Sequence, residues 1–179
     1  GVGHVGLGLA RHLKDAGAEL WVCDIFDANV QQAVEELGAN AVRPHDIYGL
    51  DVDVFAPCAM GGILNAETLQ SLRAPVIAGA ANNQLASPEI GVELQRRNHL
   101  YAPDYAINAG GIIDVYYQRI GGSPAQTDAH VRGIAETLRE IFERAASSGD
   151  STSVVADRLA QERLGGQHAV QKHPQRLQA

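Results

Sequence analysis

The chain begins with Gly1-Val2-Gly3-His4-Val5-Gly6, a GxGxxG spacing that could hold a phosphate. The three glycines would do three different things. The first allows a tight turn, the second lets the backbone approach a pyrophosphate, and the third lets the next helix pack close to a sheet. The N-terminus of that helix then points its unbonded N–H groups at the phosphates. The spacing alone is weak, because glycine occurs 19 times in this sequence. It gains weight from the residues after it: a helical pattern, then the β-rich run Leu20-Trp21-Val22-Cys23 ending in Asp24, 18 residues after Gly6. A carboxylate at that spacing is placed to hold ribose hydroxyls. It would repel a 2′-phosphate, and Ile25, Phe26 and Asp27 offer no cation in compensation. The expected cofactor is NAD rather than NADP. Asp24 can also be read as an ordinary strand end. The His4 N–H could reach phosphate, while its side chain is expected to face solvent without a catalytic part.

The elements that would position these residues alternate along the chain. Val5, Leu9, Ala10 and Leu13 have helical spacing over residues 5–16, and Gly17 is a plausible stop. Asp27 could cap a helix that ends at Gly38, with Val30, Val34 and Leu37 on one face. Asn65 could cap a short helix through Leu69 and Leu72, and Ser87-Pro88 opens another. Strands are expected near 20–24, 41–43, 52–56, 76–79 and 99–102. This alternation predicts an α/β fold, a Rossmann-type doubly wound parallel sheet followed by C-terminal helices. The strand that normally precedes a glycine loop is not in the sequence, so the sheet is expected to lack its first strand. Counting that strand gives six, and in the usual order it lies centrally. The chain is therefore expected to be part of a longer protein.

The last third differs. Ser123-Pro124 starts a long helix with Val131, Ile134, Leu138, Ile141, Phe142 and Ala145 in one stripe. A second amphipathic helix would carry Val155, Leu159 and Ala160. The Gln- and His-rich end is expected to be a disordered tail. The expected organisation is a dinucleotide-binding domain over 1–120, a helical segment over 121–165 and the tail over 166–179.

Composition narrows the function. With 45% hydrophobic and 20% charged residues, a packed core is within reach. The net charge of −7, without a basic cluster, argues against a nucleic-acid partner. The longest apolar runs are too short to span a bilayer as helices, so no membrane partner is expected. Cys23 and Cys58 have no metal-type spacing and read as reduced, buried thiols of a cytoplasmic protein. The seven histidines form no HExxH motif or Cys/His pair, so no metal site is expected.

Three further segments end predicted strands. They are Ala56-Pro57-Cys58-Ala59-Met60-Gly61-Gly62, Ala78-Gly79-Ala80-Ala81-Asn82-Asn83-Gln84-Leu85, and Tyr101-Ala102-Pro103-Asp104-Tyr105-Ala106-Ile107-Asn108-Ala109-Gly110-Gly111. With the glycine loop, their order and spacing resemble the leucine/phenylalanine/valine dehydrogenase family from residue 1 to about residue 164. The resemblance implies an NAD-dependent enzyme that reversibly deaminates a branched-chain or aromatic L-amino acid to a 2-oxo acid and ammonia. It implies that Gly1, Val2, Gly3, His4, Val5, Gly6 and Leu7 cradle the pyrophosphate, and that Asp24 and Ile25 hold the adenosine ribose. Cys58 and Ala59 would line the cofactor pocket, with Ala80, Ala81 and Asn82 along the nicotinamide ribose. Asn82 would also reach the substrate. Asn108 and a turn at Ala109-Gly110-Gly111 would face the reacting centre, and Ala106 would border the substrate side chain, leaving room for bulkier substrates than leucine. His4 departs from the Asn common in the family.

The same resemblance puts the catalytic lysines and their aspartate in another domain, so no catalytic residue is expected in this chain. Asp104, Tyr105 and Asp114 receive no acid–base role. The chain is expected to bind NAD but not to turn over alone, and the full-length protein is expected to be a homo-oligomer. A stand-alone NAD-binding or regulatory module is the alternative. A glutamate-type or folate-linked dehydrogenase is a third reading.

Overall fold

A computed structural model describes residues 1–168. Helix α1 (His4–Asp15) starts directly behind the glycine loop and is capped by Ala16, before Gly17 with φ +88°. Its buried face is Gly6, Leu7 and Ala10. The expected stripe is thus rotated, and Val5 and Leu13 are exposed. Close packing of Gly6 against Gly1 and Cys58 decides which face turns inward.

Strand β1 (Trp21–Val22) pairs in parallel with β2 (Asn40–Ala41). Helix α2 (Asp27–Leu37) joins them and ends at Gly38 with φ +64°. Asp27 does not cap it. Phe26 occupies the cap position and Asp27 is the first helical residue, where its charge still suits the helix N-terminus. The α2 residue that is fully buried is Ala33, while Val34 is exposed and Val30 and Leu37 only border the core.

Strands β3 (Val54–Phe55), β4 (Val76–Ile77) and β5 (Leu100–Tyr101) form a second parallel group in that order. Each strand is shorter than expected, but the ladder bonds reach further. Val42 donates to Val22, Ala78 to Phe55 and Ala102 to Ile77, at 2.9, 3.0 and 2.9 Å. Between the strands lie α3 (Thr68–Ser71) and α4 (Pro88–Arg96). Glu67 occupies the cap position of α3, and the expected cap Asn65 serves it from two residues earlier, its Oδ1 accepting from the N–H groups of Glu67 and Thr68 at 3.0 Å each. The core between these elements is built on Leu64, Leu69, Ile77, Leu94 and Tyr101.

The strands form two groups, β1-β2 and β3-β4-β5, each parallel within itself. This is a doubly wound Rossmann-type arrangement with strand places 3-2 and 4-5-6. Gly1 and Val2 sit between the C-terminal ends of β1 and β3, with Val2 bonded to Asp24 and Gly1 against Ala59. Among the described residues no strand pairs with both β1 and β3.

Two helices follow β5, the second starting where a turn is expected. They are α5 (Asp104–Ile107) and α6 (Gly110–Ile120), the latter starting on the glycine pair. Helix α7 (Pro124–Ser148) opens with a capping box in which Ser123 and Gln126 serve each other's N–H. Helix α8 (Thr152–His168) folds back on it. Ile141 and Ala145 of α7 bury against Val155, Ala156 and Leu159 of α8, with Ala106 of α5 at the edge. Ala160 is exposed rather than part of that face. Helix α8 runs three residues into the expected tail, and the rest of that tail, 169–179, lies outside the described residues.

Ile141 is 1% exposed whereas Ile112 on α6 is 69% exposed. Ile141→Ala is expected to cost about 2–5 kcal/mol of stability in urea unfolding, because it opens a cavity between two helices. Ile112→Ala is expected to change stability by about 0.5 kcal/mol or less. Equal losses would contradict this packing.

Candidate functional site

Parallel strands bring their C-terminal ends to one edge, so the loops that leave them meet there. Four segments do so in this chain: the glycine loop and the exits of β3, β4 and β5. The glycine loop is fixed by contact. A Cβ on Gly6 would lie 2.0 Å from the Gly1 carbonyl oxygen and 3.2 Å from Cys58 Cβ. A Cβ on Gly1 would lie 2.5 Å from Ala59 Cβ. Both positions therefore require glycine for packing. Gly3 differs, since a Cβ there would meet nothing nearer than the Asn29 side-chain nitrogen at 4.0 Å. Its free side faces open space in front of α1, and Gly3 has no side chain to cap that helix. The N–H groups of His4, Val5 and Gly6 in the first turn then lack a side-chain cap, which suits an anion.

Two of the seven expected cradle residues have their N–H groups committed elsewhere. The Leu7 N–H donates to Gly3 O at 2.8 Å, and its side chain lies in the core. The Val2 N–H donates to Asp24 Oδ2 at 2.8 Å. The other oxygen of Asp24 accepts from the Phe26 N–H at 3.0 Å. Asp24 thus ties the loop to the end of β1 and remains half-exposed. Burial pushes its pKa up, but the bonds from Phe26, Val2 and Asn29 outweigh this and hold it below the ordinary carboxylate value. Ile25 is 76% exposed and makes no part of the packed loop. His4 is exposed, as expected of a loop side chain. Cys23 and Cys58 are free thiols, half-buried rather than buried.

A second cluster forms where β4 and β5 end. A Cβ on Gly79 would fall 2.2 Å from Pro57 O, so only glycine lets the two exits cross. The Ala81 N–H then donates to Pro57 O at 2.9 Å. Beneath it, the fully buried Gln84 side chain donates to the carbonyls of Gly79 and Ala81, both at 2.9 Å. This places Asn82 at the surface, where its Oδ1 accepts from Asn108 Nδ2 at 2.6 Å. Asn82, Asn108, Ala80 and Ala81 are brought together, whereas Ala106 packs toward α7 and α8 and stays partly exposed. The expected turn at Ala109-Gly110-Gly111 is instead the start of α6, so the N-terminus of that helix, not a loop, comes after Asn108. Two asparagine amides offer both donors and acceptors for a neutral polar group.

Asp104, to which the sequence assigns no acid–base role, has a structural one. It is buried, its Oδ1 accepting from the Tyr101 hydroxyl at 2.9 Å and its Oδ2 from the Asn83 N–H at 2.7 Å. Burial first, then the bond to Asp104, pushes the Tyr101 pKa upward. A Tyr-x-x-Asp spacing across a strand end was the available signal, and it is too common to be specific. Among the described residues no three His, Cys, Asp or Glu side chains converge on a metal-type site, and no helix is long and apolar enough to cross a membrane.

The fold and the glycine loop thus define a Rossmann-type α/β chain with small and amide residues at the strand ends. Comparison with known proteins gives the family. The sequence profile for Glutamate/Leucine/Phenylalanine/Valine dehydrogenase matches residues 22–153. The chain is similar to L-tryptophan dehydrogenase of Nostoc punctiforme, 46% identical over 165 residues, covering 92% of this chain and 47% of that protein. It is similar to leucine dehydrogenase of Geobacillus stearothermophilus, 46% identical over 164 residues, covering 92% and 45%. The crystal structure of the Nostoc punctiforme L-tryptophan dehydrogenase superposes with a TM-score of 0.91 at 44% identity, covering 94% of this chain and 51% of that one. The chain belongs to the Glu/Leu/Phe/Val dehydrogenase family. It spans about half the length of the curated relatives it matches.

The Asp24 tie has a pH signature. Its pKa is depressed on folding, so its contribution to stability is complete above the unfolded value of 3.8 and is lost as pH falls through the lower folded value. Unfolding measured against pH for the native chain and Asp24→Asn should show a gap that is constant near neutrality and closes in acid. A gap that does not depend on pH would contradict the tie.

Proposed function

We propose that this chain is the NAD-binding half of an amino acid dehydrogenase, one that acts on a branched-chain or aromatic L-amino acid in the whole protein. Family membership supports the reaction class, and the names of the tryptophan and leucine dehydrogenase relatives support the substrate class. The observation that carries the reading is the glycine loop: packed at Gly1 and Gly6, open at Gly3, and tied to a carboxylate at the end of the next strand. That set fits a dinucleotide. Residues 1–120 form the binding domain on this reading, and 121–165 a helical segment that packs behind it.

Bound NAD would accept a hydride from the substrate α-carbon. The chain's own part is to bind and orient. The N–H groups of Gly3, His4, Val5 and Gly6 would meet the pyrophosphate, with Gly1, Val2 and Leu7 shaping the turn. Asp24 would accept from the adenosine ribose hydroxyls with the lone pairs it keeps free, beside Ile25. Cys58 and Ala59 would form the wall nearest Gly1 and Gly6. Ala80 and Ala81 would let the nicotinamide ribose come close to backbone. Asn82 would face both nicotinamide and substrate, Asn108 would hold the amide of Asn82 in register, and Ala106 would leave room beside the substrate side chain. Membership of a homo-oligomer belongs to the same reading of the whole protein.

Cofactor choice tests it. Calorimetric titration of the chain should show saturable NAD binding, with NADP weaker by about tenfold or more, because a 2′-phosphate would meet the Asp24 carboxylate. Asp24→Ala should narrow that ratio. Equal affinity for both cofactors, or no binding of either, would overturn the reading.

A further inference from the structure

We propose that Asp104 is a positioning residue that holds the Asn82–Asn108 pair in its working geometry. The proposal rests on the reading that this pair faces bound NAD and substrate. Among the described residues Asp104 is the one buried acidic side chain, 8% exposed. Burying a carboxylate is costly unless hydrogen bonds compensate. No described Arg or Lys forms a salt bridge with it. Its partners are neutral, the Tyr101 hydroxyl and the Asn83 N–H. A purely space-filling role would be served by an apolar side chain.

What distinguishes Asp104 is its carboxylate bond to the residue next to Asn82, made from the first residue of the helical turn whose end carries Asn108. Its Oδ2 accepts from the N–H of Asn83, the neighbour of Asn82, at 2.7 Å. Its backbone carbonyl accepts from the N–H of Asn108 at 2.9 Å. Asn83 has φ +52°, in the left-handed region that a non-glycine residue enters only when its surroundings hold it. The Asp104 carboxylate is one of the groups that hold it. The Asn83 carbonyl in turn accepts from the Gly62 N–H at 2.7 Å, so the turn is clamped from both sides.

The clamp has a rigid backing. Tyr101 is 2% exposed, and its carbonyl accepts from the Thr152 hydroxyl at 2.7 Å. The next residue along α5, Tyr105, donates its hydroxyl to Asp157 Oδ1 at 2.6 Å. Helix α8 therefore anchors the segment that carries Asp104, and Asp104 transmits that position to the exit of β4. Asp104 touches neither cofactor nor substrate and acts through Asn83 and Asn108.

The test is a set of variants of the full chain: Asp104→Ala, Asp104→Asn and Tyr101→Phe. Two quantities are read: the side-chain amide signals of Asn108 in nitrogen-15 spectra without ligand, and the NAD dissociation constant. Asp104→Ala should move the Asn108 amide signals toward those of a solvated asparagine, and it should weaken NAD binding about tenfold, the equivalent of one lost hydrogen bond. Asp104→Asn should restore both readouts, since one amide oxygen can accept from Asn83 and the NH2 can donate to Tyr101. A folded Asp104→Ala chain that loses thermal stability but keeps the native Asn108 signals overturns the proposal. If Asp104→Ala does not fold, Tyr101→Phe decides. It removes only the hydroxyl, so a partial shift of the Asn108 signals supports the clamp and unchanged signals overturn it. Native chain that binds no NAD, with Asn108 signals that still respond as expected, would defeat the NAD reading and leave the positioning role standing.

Discussion

The nearness of α1 to the strand ends governs the rest of the molecule. Gly6 lies so close to the Gly1 carbonyl and to Cys58 that any side chain there would force them apart. That contact sets the rotation of α1, which is why Leu7 and Ala10 turn inward and Val5 and Leu13 do not. It also fixes the direction of the first-turn N–H groups, which point past Gly3 into open space. Asp24 completes the arrangement by holding Val2, so loop, helix and β1 become one unit. An anion site made of backbone N–H groups works only if the backbone is held, because those groups have no side chain to adjust.

A second use of close backbone approach occurs at Gly79, where the exits of β3 and β4 cross. The crossing joins the two clusters, since Pro57 receives the Ala81 N–H and stands next to Cys58. Below it the buried Gln84 amide ties two carbonyls of the same segment. The Gln84 Nε2 is held by both carbonyls, a bonding that any other conformation of the segment would lose, while its buried Oε1 has no partner among the described residues. The surface asparagines are therefore not a mobile polar turn. They are the visible end of a bonded layer that continues through Asp104 to α8.

Much of this could be read from residues. The glycine spacing, the acid at the next strand end, the alternation of elements and the caps at Asn65, Ser87 and Ser123 all carry local physical signals. So did the parallel α/β class, because each apolar run was short and flanked by turn residues. Other features were hidden for reasons that are also physical. Helix α6 begins on Gly110-Gly111, and each glycine weakens a helix by about 1 kcal/mol relative to alanine, so local preference argued for a turn. Tertiary placement after α5 overrides it. The strands β1 to β5 are two residues long and are defined by partners distant in sequence, so their limits could not be set from pattern. The inward face of α1 depends on contact at a glycine, which a hydrophobic period cannot report. Asp104 was illegible because its importance lies in burial and in two partners, and neither is written in the residues around it. Ala106 carries a pocket expectation from resemblance alone, and its packing against the α7–α8 cluster is a tertiary contact that no local pattern reports.

The central claim is that the space in front of Gly3 and above the Asn82–Asn108 pair receives one dinucleotide. Backbone amide spectra of the nitrogen-15-labelled chain, recorded while NAD is added, test it most directly. The signals of Gly3, His4, Val5 and Gly6 should move together with the side-chain amides of Asn82 and Asn108, along one saturation curve. Shifts confined to α7 and α8, or movement of one cluster without the other, would contradict it.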